Sequence, residues 1–85
     1  MIIDKKQPAS KEQILKQRIA LGQKIATKRK SLNINQQDLA DFVGLSKNTI
    51  SKIEIGKFSF NFDTIFKIMD ALNIRIQYDD YTVFE

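Results

Sequence analysis

Gly44 constrains the fold of this chain more than any other residue. It directly follows a short apolar stripe of Leu39, Ala40 and Val43, and a second stripe, Ile50 and Ile53, begins soon after it. A helix end favours the left-handed backbone conformation, which glycine adopts without steric cost. Asn35 and Ser46 each precede one of the stripes, and side-chain oxygens at such positions accept from the exposed N–H groups of a helix start. The spacing predicts two short helices joined by a tight turn across residues 36–56, the second stopped by Gly56.

Longer elements flank this pair. Ser10 and Gln13 form a capping-box pattern, in which hydroxyl and amide satisfy backbone donors reciprocally. Ile14, Leu21, Ile25 and Leu32 then recur on one helical face, predicting a helix to about Ser31. Gly22 weakens that helix by roughly 1 kcal/mol relative to Ala and leaves a break there open. Phe58 and Phe60 read as a loop whose rings fold back onto the core. Asn61 caps a fourth helix with Phe62, Ile65, Ile68, Met69 and Leu72 on its apolar face. The period then falls to two: Ile74, Ile76 and Tyr78 alternate with Arg75, Gln77 and Asp79, as in a half-buried strand. Tyr81 to Phe84 is either a second strand or a packed tail. The chain therefore divides into an N-terminal arm (1–9), a helical domain (10–73) and a strand-like tail (74–85).

Composition removes whole classes of function. The chain has 85 residues, enough for one domain. With no cysteine and no histidine, it lacks disulfides, thiolate metal sites and the commonest general base. Asp79 and Asp80 are adjacent, so on a strand they point to opposite faces and form no dyad. No catalytic residue, metal or cofactor is expected. No apolar run is long enough to span a membrane, and the start lacks the apolar stretch of a signal peptide; a cytoplasmic protein is expected. Net charge is +4 and unevenly spread: residues 1–34 carry nine Lys/Arg against Asp4 and Glu12, whereas residues 58–85 carry Lys67 and Arg75 against five acids. A basic front fits a polyanionic partner.

The third helix shows which surface would meet that partner. With Ile50 at the inward centre and 100° per residue, Ser46, Glu54 and Lys57 lie within about 40° of inward and Ile53 within about 60°. Asn48, Lys52 and Ile55 point outward, flanked by Lys47, Thr49 and Ser51. That face holds amide, ammonium and hydroxyl groups and no carboxylate. Asn pairs with adenine, Lys donates to guanine and an aliphatic group meets the thymine methyl, whereas phosphate would repel a carboxylate. An ordinary solvated surface helix is the plainer alternative. Two helices joined this way form a helix-turn-helix when the second enters a major groove.

Glu54 borders the inward face, where an unpaired carboxylate is costly. Arg29 lies about 40° from Ile25 on the first helix. The simplest arrangement pairs the two as a partly buried bridge between the first and third helices; the alternative is that both reach water.

Leu32 to Ala40, Gly44-Leu45-Ser46, Thr49-Ile50-Ser51, Ile53 to Lys57 and Leu72-Asn73-Ile74 together resemble the Cro/phage-repressor helix-turn-helix family, over about residues 21–74. The resemblance implies a mainly α, four-to-five-helix lambda-repressor-like domain that binds double-stranded operator DNA as a homodimer. It implies that Lys47, Asn48 and Lys52 read base edges and that Thr49 reaches base or backbone. Gln36 matches a position that contacts phosphate and supports the recognition helix, with Ser46, Lys30 and Lys57 as further phosphate or supporting residues. Arg29 and Glu54 match the family's inter-helix ion pair. The tail departs from the phage repressors, which continue as a fifth helix. It is more similar to small bacterial regulators and antitoxins whose strands pair across the dimer. Ile74, Ile76 and Tyr78 are accordingly expected at a dimer interface, the alternative being a hairpin on the same domain. A repressor is the leading expectation; an autoregulating antitoxin that also binds a toxin protein is the second.

Overall fold

The computed structural model describes residues 6–57, 59, 61–78 and 81–82, with backbone alone at Tyr78, Tyr81 and Thr82. Four helices account for most of these residues: α1 (Lys11–Ser31), α2 (Gln36–Val43), α3 (Lys47–Glu54) and α4 (Phe62–Ala71), followed by β1 (Gln77–Tyr78) and β2 (Tyr81–Thr82). Among the described residues there are four helices rather than five, and strand within the expected strand-like tail is confined to Gln77–Tyr78 and Tyr81–Thr82. Phe58 and Phe60, whose rings were expected to fold onto the core, lie outside the described residues.

Local chemistry accounts for the helix boundaries. The capping box is formed, Gln13 N donating to Ser10 Oγ at 3.1 Å and Ser10 N to Gln13 Oε1 at 2.7 Å. Asn35, Ser46 and Asn61 each accept from the backbone N–H three residues on, at 2.7, 3.0 and 2.9 Å. Lys28, Arg29 and Lys30 occupy the last turn of α1, where positive charge complements the helix dipole. Gly44 ends α2 in the left-handed conformation (φ 77°, ψ 34°) and turns the chain into α3.

Ile25, Leu39, Ile50, Ile53, Ile68 and Leu72 are fully buried, and Ala40, Ile65, Met69 and Ile74 complete the core. Every helix contributes, so the short helices are held mainly by packing rather than by propensity. α3 sits between α1 and α2, while α4 closes the far side against α2.

Three expectations need correction. The stripe predicted along α1 is buried only at Ile25 and partly at Leu21; Ile14 and Leu32 are 46% and 44% exposed. The first turns of α1 run beyond the elements that cover its second half, and Leu32 lies past the last helical residue, where the 3.6-residue period no longer applies. On α4, Phe62 is exposed and leans on Phe66, with ring centroids 5.9 Å apart, instead of entering the core. In the tail, Ile74 is not part of a strand. Its N–H donates to Met69 O at 2.8 Å, closing α4, and its side chain is buried in its own core. Ile76 is half-buried against the same core, and the Tyr78 side chain lies outside the described residues. β1 pairs with β2 of the same chain, antiparallel, Gln77 opposite Thr82 and Tyr78 opposite Tyr81. The hairpin alternative thus describes the pairing within the chain.

Gly22 does not break α1, which is continuous over 21 residues. A Cβ there would collide with the carbonyl oxygens of Ile53 and Glu54, so glycine is needed for the close approach of α1 to the end of α3. Gly22→Ala should therefore destabilise the domain by about 1–3 kcal/mol, as overpacking does, rather than stabilise it through helix propensity. Urea unfolding of the variant beside the parent checks the sign.

Candidate nucleic-acid interface

The anchor of α3 is a buried polar network. Arg29 Nε donates to Glu54 Oε2 at 2.7 Å and Nη2 to Oε1 at 3.0 Å, a two-point pairing of guanidinium and carboxylate. Arg29 Nη1 also donates to the carbonyl of Ile34 at 2.8 Å. Gln36 Nε2 donates to Glu54 Oε1 at 2.9 Å. Arg29 and Glu54 are only 6% and 7% exposed. Hydrogen bonding to Glu54 raises the already high pKa of the guanidinium; burial opposes this, and the carboxylate's charge reinforces it. The expected bridge is therefore formed, with further partners at Ile34, before α2, and at Gln36, its first residue.

With Glu54 buried, α3 presents no acid outward. Lys47, Asn48 and Lys52 are exposed on this eight-residue helix, and Ile55 caps its end in solvent. The first three are brought together as expected. Thr49 stands apart: it is half-buried, and its Oγ1 lies 2.9 Å from Ser46 Oγ, so its hydroxyl is engaged in the helix cap. Ser46 likewise serves as the N-cap. Lys30 and Lys57 are exposed, at the last turn of α1 and just beyond α3. The nearby acid Asp41 on α2 accepts from Gln37 Nε2 at 2.8 Å, an i,i+4 pair along its own helix.

Sequence reasoning found the Arg29–Glu54 pair but not the Gln36 bond to Glu54 or the close approach at Gly22. Gly22 lies about 60° from Ile25 around the helix, which places it at the edge of the buried face. For Gln36 the family resemblance already implied support of the recognition helix, but nothing in the spacing pointed to Glu54, 18 residues away, as its partner.

The helix-turn-helix family profile matches residues 25–78, well over half of the chain. The protein belongs to this family, of the Cro/C1 type. Among solved structures it is similar to the restriction-modification controller protein C.AhdI from Aeromonas hydrophila, at 25% identity and TM-score 0.66, covering 71% of this chain and 87% of that one. Two structures of the clp gene regulator ClgR from Corynebacterium glutamicum share the fold, each at 23% identity and covering 67% of this chain, with TM-scores of 0.65 and 0.63. The alignments span 61% and 74% of those chains. No curated protein matches.

The buried pair makes a two-sided stability prediction. Glu54→Ala leaves a buried guanidinium without its carboxylate and should cost about 3–5 kcal/mol. Replacing both partners together, as Arg29→Met with Glu54→Leu, should cost far less, since apolar isosteres remove the desolvation penalty at both ends. Chemical denaturation of the three proteins compares these values.

Proposed function

We propose that this protein is a sequence-specific DNA-binding transcriptional regulator, a repressor that acts by occupying its site and not by catalysis. The observation that carries this reading is the acid-free outer face of α3, its one carboxylate withdrawn into the core by Arg29. Membership of the helix-turn-helix family supports the reading, as does likeness to a restriction-modification controller protein. Lys47, Asn48 and Lys52 enter the major groove and read base edges, Asn48 through a paired hydrogen bond to adenine. Thr49 acts with Ser46 to shape the helix start. Lys30 and Lys57 contact phosphates, which contributes salt-dependent affinity but no sequence information.

The protein works as a homodimer on a palindromic site. Two copies of α3 related by a two-fold axis meet major grooves roughly 34 Å apart. The tail supplies the contact, through Ile76 and the edge of β1 that faces away from β2; an open strand edge is a surface that pairing removes. Selection of bound duplexes from a random-sequence pool, with stoichiometry measured, tests both parts. Recovery of a palindrome carrying two chains is the expected result, and equal retention of all sequences would exclude specific recognition.

Two substitutions separate the roles of the face. Asn48→Ala should cost about 1–3 kcal/mol on the selected duplex and relax preference at one base pair. Lys57→Ala should weaken binding on all duplexes alike and reduce the salt slope by about one. Binding titrations on matched and single-substituted duplexes at several salt concentrations distinguish the two.

A further inference from the structure

We propose that the front of α1 is a docking surface for an acidic amphipathic helix of a partner protein. The inward face of α1 continues past the domain it packs on. With Ile25 as the inward centre, Leu21, Arg18 and Ile14 fall within about 40° of it and Leu15 within about 80°. Together they make a face about 120° wide, the width a helix ordinarily buries. Leu21 is partly buried against the core, yet Ile14 and Leu15 are 46% and 44% exposed. Ile14, Arg18 and Leu21 line a groove of about 280 Å³ with Ala9, Gln13 and Gln17. A neighbouring hollow shares Ala9 and Gln13 and adds Lys6.

Charge and an orphaned donor identify the occupant. Lys6, Lys11, Lys16, Arg18 and Lys24 accompany these turns against a single acid, Glu12. That acid lies 3.6 Å from Lys16, on the far side of the helix. Lys11 and Arg18 stand in line with the apolar face and make no ion pair among the described residues. Arg18 is half-buried, and its Nε is screened from water without an acceptor among the described residues, a state that costs free energy until an acceptor arrives. A second copy of this chain would set two basic faces against each other, so like charge opposes self-pairing. A DNA backbone would answer the charge but leave the apolar floor uncovered. An acidic amphipathic helix does both. Its apolar side chains at i, i+3 or i+4, and i+7 lie over Ile14, Leu15 and Leu21, while flanking carboxylates meet Lys11 and the guanidinium of Arg18. Ile19 meets Gly56 past the end of α3, whereas Lys47 and Asn48 stand at its start, so this partner leaves the start of α3 free.

The full chain serves as bait for a displayed library of random peptides of about 16 residues, long enough to form a helix on binding. The expected consensus carries Leu, Ile or Phe at helical spacing with Asp or Glu beside them. Basic or unpatterned peptides, or no enrichment at all, would overturn the proposal. The recovered peptide, titrated into isotope-labelled protein, should shift and protect the backbone amides between Lys11 and Leu21; changes centred elsewhere would overturn it as well. Ile14→Ser should weaken the peptide about tenfold and leave duplex affinity and oligomeric state as in the parent. A parallel fall in duplex affinity would make DNA the occupant, and a lower oligomeric state would make it a second copy; either result excludes the acidic partner. A charge exchange guards against mere loosening of the front turns. Lys11→Glu should weaken the peptide about threefold, and a version of the peptide with Lys in place of its acids should bind this variant better than it binds the parent. If the exchanged peptide prefers the parent, or shows no preference, the pairing of acids with this face is wrong.

Discussion

The Arg29–Glu54 pair is the interaction on which the rest of the domain turns. Arg29 belongs to α1, Glu54 to α3, and the third guanidinium nitrogen holds the carbonyl of Ile34 in the connection to α2. The backbone closes the same segment, Ile34 N donating to Arg29 O at 3.2 Å. One side chain thus ties the end of one helix, the approach to the second and the end of the third. The net stability of such a pair is modest, because desolvation takes back most of the attraction. Its effect is geometric: any rotation of α3 must break two charge-assisted hydrogen bonds in a place where water cannot replace them.

Gly22 supplies the complementary constraint. Without a side chain at this position, α1 lies against the backbone carbonyls of Ile53 and Glu54. Contact at Gly22 sets the distance between the helices, and Arg29, two turns along, sets their rotation. Ile25 lies between them at the centre of the core. The outer face of α3 is therefore defined by what its inner face is tied to, and its freedom from acids follows from where its single carboxylate is held.

What the sequence made legible was local. Asn35, Gly44, Ser46 and Asn61 announce helix ends because capping involves residues three or four apart. Arg29 and Glu54 could be paired because each stands at the edge of an apolar stripe, where only a partner makes burial tolerable. Ile14 and Phe62 were misplaced because periodicity states which face a residue occupies, not whether another element reaches that far, and Leu32 because the helix ends before it. Ile74 fits an alternating pattern as well as any strand residue, yet its N–H is already used in ending α4. The Thr49 hydroxyl meets the Ser46 cap, a contact that no count of outward-facing residues includes.

The length of α1 has a further consequence. Its second half is fixed by Gly22, Ile25 and Arg29, the residues of this helix that are buried. Its first two turns, before Ile19 meets Gly56 beyond α3, rest on the capping box and on an exposed i,i+4 contact between Lys16 and Glu12, 3.6 Å apart, contributions of a few tenths to about one kcal/mol each. A single unbroken helix therefore contains two regimes of stability. Amide exchange should be fast near Lys11 and slow near Arg29, with the gradient falling across Gly22. Opening of the front turns should therefore leave α3 in place, so one continuous helix joins a weakly held basic end to a firmly packed one.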